Sequence, residues 1–286
     1  MPISDYTLNN GPKGVEESRL DTNHHELFKP MMAGALLPAN IMTYLRSLEA
    51  PVVADVATGT GVWLEDLAAE LPAASQLDGY DFDTSKFRSS QKLPTNVKLQ
   101  FGNVLEPFPE AIHGKYDVVH ARLLLFALKA DQWDIAAANL KTLLKDGGWL
   151  LWEETSYMSW TCLPMSRAFY EWIGPEVRYA SKIGRDICAP ARLHKQIQDQ
   201  GFTNCSQQIF SSFSMDDPKA RRAAARTIVT VAYQSMNGIL DRGGFESIQT
   251  REDANRLRDE MLRDIDIGHT FGLELWWICC QKPVRL

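Results

Sequence analysis

Residues 51–64, Pro51-Val-Val-Ala-Asp-Val-Ala-Thr-Gly-Thr-Gly-Val-Trp-Leu64, constrain the fold of this chain more than any other stretch. An apolar β-branched run (Val52, Val53, Val56) ends in a turn of small residues from Ala57 to Gly61, after which Leu64, Leu67, Ala68 and Leu71 recur at helical spacing. Strand, glycine turn and helix make the opening unit of a nucleotide-binding α/β sheet. Glycine lets the backbone turn tightly and approach a ligand, and a helix N-terminus offers unpaired N–H groups to an anion. A βα turn that holds nothing would read the same way, so the strands downstream decide.

Leu77 to Phe82 reads as a second strand, and its Asp81 lies 22 positions after Gly59. At that distance a second parallel strand presents a carboxylate to ribose hydroxyls, and one carboxylate accepts from both. Asp83 reads as a solvated turn residue. A third strand, Val97 to Val104, carries Gly102-Asn103 at its end. The Asn103 carbonyl suits the exocyclic amine of a base, although asparagine is equally an ordinary turn residue. Tyr116 to Arg122 is a fourth strand. A helix over about 131–144 ends in Lys145-Asp-Gly-Gly148, and Trp149 to Glu154 is a fifth strand. Alternation of this kind predicts a mostly parallel, doubly wound sheet with ligands at the C-terminal strand ends. Gly59, Gly61, Asp81, Asn103, His120 and Glu153 all fall there.

The flanks differ. Residues 1–14 look irregular, and residues 16–45 read as helical with interruptions near Pro30 and Pro38. This segment carries His24-His25. Adjacent histidines on a helix point about 100° apart and share a metal poorly, so no metal site is expected and surface or capping roles are. A cavity-lining role for one of them stays open. Residues 155–188 break the alternation, with Met165, Phe169, Trp172 and Ile173 at helical spacing and Trp160, Tyr170 and Tyr179 nearby. These aromatics either wall a pocket for an apolar small molecule or dock the helix on the core. Further on come a helix over 190–200, a strand over 202–210, a helix from Asp217-Pro218 to about 240, a charged helix over 252–265 and a last strand over 272–281.

Composition narrows the function classes. The chain has 286 residues, 45% hydrophobic and 23% charged, as in ordinary globular proteins. A net charge of −6 gives no basic footprint for nucleic acid. No apolar run spans a membrane, and the polar start lacks a signal-peptide pattern, so a cytoplasmic protein is expected. The five cysteines (Cys162, Cys188, Cys205, Cys279, Cys280) lack metal or redox spacing and read as free buried thiols.

Together, Asp55-Val-Ala-Thr-Gly-Thr-Gly61, Asp81, Asn103 and Leu144-Lys-Asp-Gly-Gly-Trp149 resemble the class I S-adenosylmethionine-dependent methyltransferases. The likeness runs over about 50–155 and resumes over 201–210 and 272–282. Glu17-Ser-Arg-Leu-Asp-Thr-Asn-His24, taken with Ala57-Thr-Gly-Thr-Gly-Val-Trp63, is similar more narrowly to filamentous-fungal methyltransferases of secondary metabolism. Three departures stand out: Ala57 replaces a frequent glycine, Asn103 the commoner aspartate, and Asn23 a frequent glutamine. A dinucleotide fingerprint would need glycine where Leu64 stands, which disfavours a dehydrogenase.

The resemblance implies a Rossmann-like, doubly wound, seven-stranded sheet, mostly parallel with the last strand antiparallel. It implies a helical N-terminal cap (1–48), a cofactor-binding core (49–155), an aromatic-rich insert acting as substrate lid (156–200), and closing strands (201–286) with a helical insertion (217–267). S-adenosyl-L-methionine is the implied cofactor, held by Asp55, Ala57, Thr58, Gly59, Gly61, Asp81, Phe82, Asn103, Val104, His120 and Arg122. Trp160, Phe169, Tyr170 and Trp172 are the expected acceptor wall, and His24, His25 and His120 the candidate bases. The expected reaction is methyl transfer to O, N or S of a small-molecule secondary metabolite, by a monomer or homodimer without nucleic-acid or membrane partners. A fold that binds the donor but works as a cyclase or a regulator is the alternative.

Overall fold

The computed structural model describes residue 6, residue 8 and residues 13–284; most of the irregular opening expected over 1–14 lies outside them. The strands are β1 Val52–Val56, β2 Gln76–Asp81, β3 Val97–Phe101, β4 Tyr116–Arg122, β5 Leu144–Glu154, β6 Thr161–Leu163, β7 Thr203–Ser211, β8 Thr270–Gly272 and β9 Glu274–Gln281. Seven of them form one sheet in the order β3-β2-β1-β4-β5-β9-β7. β1 to β5 pair in parallel, and β9 is inserted antiparallel between β5 and β7. This is the doubly wound, seven-stranded sheet with an antiparallel last strand that the family resemblance implies. β6 and β8 make a separate small ladder that no sequence pattern announced.

The helices are α1 Lys13–Thr22, α2 Lys29–Met31, α3 Ala39–Ser47, α4 Val62–Ala68, α5 Trp133–Leu143, α6 Arg167–Lys182, α7 Ala189–Asp199, α8 Pro218–Leu240 and α9 Arg251–Asp266. A π-helical turn, Asn23–Phe28, joins α1 to α2. Helix α2 ends at Met31, one residue after Pro30, and α3 starts at Ala39, one residue after Pro38, so the chain leaves the helical path near both prolines as expected. α4 is shorter than its apolar spacing suggested and stops before Leu71. Asp217 caps α8 by accepting from the Lys219 amide, and Thr250 with Asp253 forms a reciprocal capping box on α9.

α8 lies on the N-terminal helices. Thr227 Oγ1 donates to Glu26 Oε2 at 3.3 Å, and Gln234 Nε2 donates to Glu16 Oε1 at 3.3 Å. The aromatic insert serves this packing more than a pocket. Phe169 and Trp172 are buried, and Trp172 Nε1 donates to Ser235 Oγ of α8 at 3.1 Å. Two cysteines also depart from expectation: Cys205 on β7 and Cys280 on β9 are disulfide-bonded, their Cα atoms 4.1 Å apart beside a register shift in the ladder. Only Cys162, Cys188 and Cys279 are free. No helix among the described residues is long and apolar enough to cross a membrane.

Candidate active site

The C-terminal ends of β1 to β5, the N-terminal helices and α8 enclose a cavity of about 330 Å³. Its floor begins at the turn after β1. Ala57 (φ +63°) and Gly59 (φ +59°) both adopt the left-handed conformation, and for alanine that is strained. A Cβ on Gly59 would come 3.2 Å from Leu20 Cδ1, another lining residue, so glycine keeps this side open. Gly61 behaves differently. It starts α4 at φ +85°, and its missing Cβ faces Leu99 at 3.0 Å, outside the cavity wall.

Asp81 ends β2 in the wall, where its Oδ2 accepts from the Gly59 amide and its Oδ1 from the Asp83 amide, both at 2.9 Å. Each oxygen keeps a further lone pair for a ligand. Burial raises this carboxyl above its ordinary range, while Lys86 and the two amides pull the other way. Lys86 escaped the sequence reading. It is buried, stands 3.6 Å from Asp83 Oδ2, and lies over the rings of Tyr6 and Phe82. The only signal was its place one short turn after the acid. Phe82, Asn103 and Val104 also line the wall. The Asn103 amide is engaged in its own turn, with Oδ1 accepting from Leu105 N and Nδ2 donating to Glu106, each at 3.1 Å.

Asp55 and His120 stand below this wall. Their side chains face each other across β1 and β4, with His120 Nδ1 2.8 Å from Asp55 Oδ1. Thr58 Oγ1 donates to the other Asp55 oxygen at 2.6 Å, tying the turn to this pair. His120 Nε2 lies 3.5 Å from Glu153 Oε1, and its ring stacks on Trp63 at 3.9 Å. Burial would lower the imidazole's pKa, but Asp55 and then Glu153 outweigh it and raise it. His120 is therefore sealed between two carboxyl groups outside the cavity, not at the wall where a base or cofactor contact was expected. It sits two residues deeper in β4 than Arg122, about 7 Å, and Arg122 does line the cavity.

The other histidines divide. His25 is exposed and lies outside the cavity. His24 is fully buried in the wall, the cavity-lining place left open for one of the pair, with Nε2 3.0 Å from Asp66 Oδ2 and Nδ1 3.0 Å from Arg122 Nη1. Burial, and then Arg122, push its pKa down to about 3. His24, His25 and Asp66 cluster, yet both His24 nitrogens are engaged.

Of the expected acceptor wall, Trp160 reaches the cavity, and Phe169, Tyr170 and Trp172 do not. Phe169 and Trp172 are spent on helix packing, and Tyr170 is exposed. The wall instead takes Leu27, Phe28, Phe126, Val231 and Leu273, which come from four separate parts of the chain. Leu123, at φ +57°, turns the chain so that Leu124 and Phe126 point inward.

Comparison with known proteins agrees with this arrangement. The profile of a methyltransferase domain matches residues 54–150. Methyltransferase grgD of a Penicillium species is 31% identical over 265 residues, covering 89% of this chain and 89% of its own length. N-methyltransferase tcpN of Claviceps purpurea is 38% identical over 138 residues, 47% of either chain. Among solved structures, Haemonchus contortus phosphoethanolamine N-methyltransferase 2 in complex with S-adenosyl-L-methionine is similar at a TM-score of 0.55 and 13% identity, over 98% of this chain and 60% of that one, a likeness of fold. With a relative at 31% identity along nearly the whole length, this chain belongs to the class I S-adenosylmethionine-dependent methyltransferases.

Proposed function

We propose that the enzyme methylates a heteroatom (O, N or S) of a small molecule with a largely apolar body. The observation that carries this reading is a single cavity with two unlike halves. One half, at the ends of β1 to β3, is polar and glycine-lined; the other is built from Leu27, Phe28, Phe126, Trp160, Val231 and Leu273. Concave apolar walls with few polar groups are how small ligands are held.

The residues present suit S-adenosylmethionine on three counts. Asp81 retains lone pairs for a ribose diol, Gly59 leaves the turn open, and Asn23 Oδ1 is buried in the wall without a hydrogen-bond partner among the described residues. When bound, the donor supplies an already activated methyl group on a sulfonium. We assign Asp81 to the ribose, Phe82, Asn103 and Val104 to the base, and Ala57, Thr58 and Gly59 to the methionyl end. On the acceptor side, Trp160 Nε1 is a buried donor with no partner among the described residues, poised for a carbonyl or ether oxygen.

None of the three histidines serves this reading as a base. His120 is sealed under the floor, His25 is outside, and the His24 Nδ1 lone pair is taken by Arg122. The protein's share is alignment and exclusion of water, with the acceptor bringing its own lone pair. Incubation with donor labelled on the methyl group and a metabolite extract tests this. Label is expected in an apolar small-molecule fraction, and Asp81→Ala should abolish both transfer and calorimetric binding of S-adenosylhomocysteine. Binding of the donor with label transfer to no small molecule would overturn the reading while leaving the fold in place.

A further inference from the structure

Arg122 closes β4 and lines the cavity. Its Nη1 meets His24 Nδ1 at 3.0 Å, and its guanidinium carbon lies 6.0 Å from the Phe28 ring centre. A guanidinium only donates, so His24 Nδ1 must be the acceptor. The ring proton is then on Nε2, which donates to Asp66 Oδ2 at 3.0 Å, where Lys29 Nζ also binds at 2.5 Å. Asp66 therefore selects the tautomer, and the tautomer orients the arginine.

The charges of the cavity wall single Arg122 out. Arg19 is neutralised by Glu16 at 2.8 Å, and Lys86 by Asp83 with Asp81 beside it. Arg122 has no carboxylate partner among the described residues; its polar contact is a neutral imidazole. A guanidinium held in a partly buried wall with unused N–H groups is a receptor for a carboxylate, which it grips through paired hydrogen bonds.

We propose that Asp66, His24 and Arg122 act as one unit that presents the guanidinium to a carboxylate in the cavity, that of the donor's methionyl end. The proposal rests on the donor site described above. Ala121, just before the arginine, pairs with Val56, just before the glycine turn, so Arg122 starts beside that turn. His24 is then a positioning residue, and its task is to hold the guanidinium in place.

Calorimetry with S-adenosylhomocysteine and with its decarboxylated analogue tests this. The parent protein should prefer the carboxylate-bearing ligand by about tenfold or more, the range of a charge-assisted hydrogen bond. Arg122→Ala should erase that preference and leave affinity for the decarboxylated analogue unchanged, while Arg122→Lys keeps part of it. His24→Asn puts a carbonyl oxygen near the place of Nδ1 and should keep most of the preference; His24→Ala should lose most of it. If His24→Ala fails to fold, His24→Gln, whose amide reaches towards Asp66 instead, takes its place with the same expected loss. An undiminished preference in Arg122→Ala overturns the proposal. So does a loss seen only as a higher KM for the acceptor, which would assign the arginine to an acceptor carboxylate. Failure of the parent to bind either ligand would instead overturn the donor site itself.

Discussion

Asp55 and His120 meet in a 2.8 Å hydrogen bond between neighbouring strands, and both are closed off from solvent. Glu153, equally buried, lies 3.5 Å from the other ring nitrogen without a hydrogen bond to it, so the imidazole stands between two carboxyl groups beneath the turn that carries Thr58. Removing the imidazole takes the shared partner away from two buried carboxyl groups, which for an ionic row is a loss of about 3–5 kcal/mol. His120→Ala should therefore lower stability by that order in urea denaturation, and adding Glu153→Gln should restore part of it. Stability within about 1 kcal/mol of the parent would show that the row is not ionic, since an exposed pair is worth no more than that.

Ala57 occupies a left-handed backbone conformation that costs an L-residue about 1–2 kcal/mol. Ala57→Gly removes that strain at the expense of a floppier unfolded chain. A net gain of about 1 kcal/mol is expected from denaturant titration. A loss of stability would show that the Cβ contributes packing that outweighs the strain.

Trp160 and Phe169 are near neighbours in sequence with different tasks. Trp160 lines the cavity, whereas Phe169 is wedged between Trp172 and Phe271 at ring distances of 5.5 Å. Trp160→Ala should raise the acceptor KM at least severalfold without altering donor affinity. Phe169→Ala should cost about 3–5 kcal/mol of stability and leave KM unchanged in the folded fraction. Steady-state kinetics beside thermal melts separates the two, and an unchanged acceptor KM in Trp160→Ala would remove the indole from the acceptor site.

Burial pushes the Glu154 carboxyl up to about 8, although the amides of Thr155 and Leu124 bind its ionised form. The unfolded chain titrates this group near 4.5. Between those values the folded protein holds a proton that the unfolded chain has released, so stability falls as pH rises through that window and levels off above it. Glu154→Gln should flatten this decline in melting temperature between pH 5 and about 8. An equally steep decline in the variant would place the titration elsewhere.

The sheet was legible because β-branched runs, glycine turns and amphipathic helices alternate at local spacing, and local spacing is what a sequence displays. Asp81 and the turn at Gly59 could be placed for the same reason. His120 was misplaced because its position near a strand end says nothing about depth, and two residues separate a sealed floor from an open wall. Phe169 and Trp172 have the composition of a pocket and the geometry of a helix interface; only the approach of α8 distinguishes the two. The Cys205–Cys280 bond joins residues 75 positions apart, a pairing set by the order of strands and not by any motif.

The insertion of β9 between β5 and β7 also governs when the enzyme comes into being. Ribosomes add about 5–20 residues per second and domains fold as they emerge. Here the nascent chain leaves the edge of β5 unpaired until β9, 120 positions after the end of β5, clears the exit tunnel. α1 likewise waits for α8, its distant partner through Gln234 and Glu16. Contacts of such long sequence separation form slowly. A ribosome stalled before residue 274 would carry most of the sheet and the whole glycine turn without the closed cavity they serve.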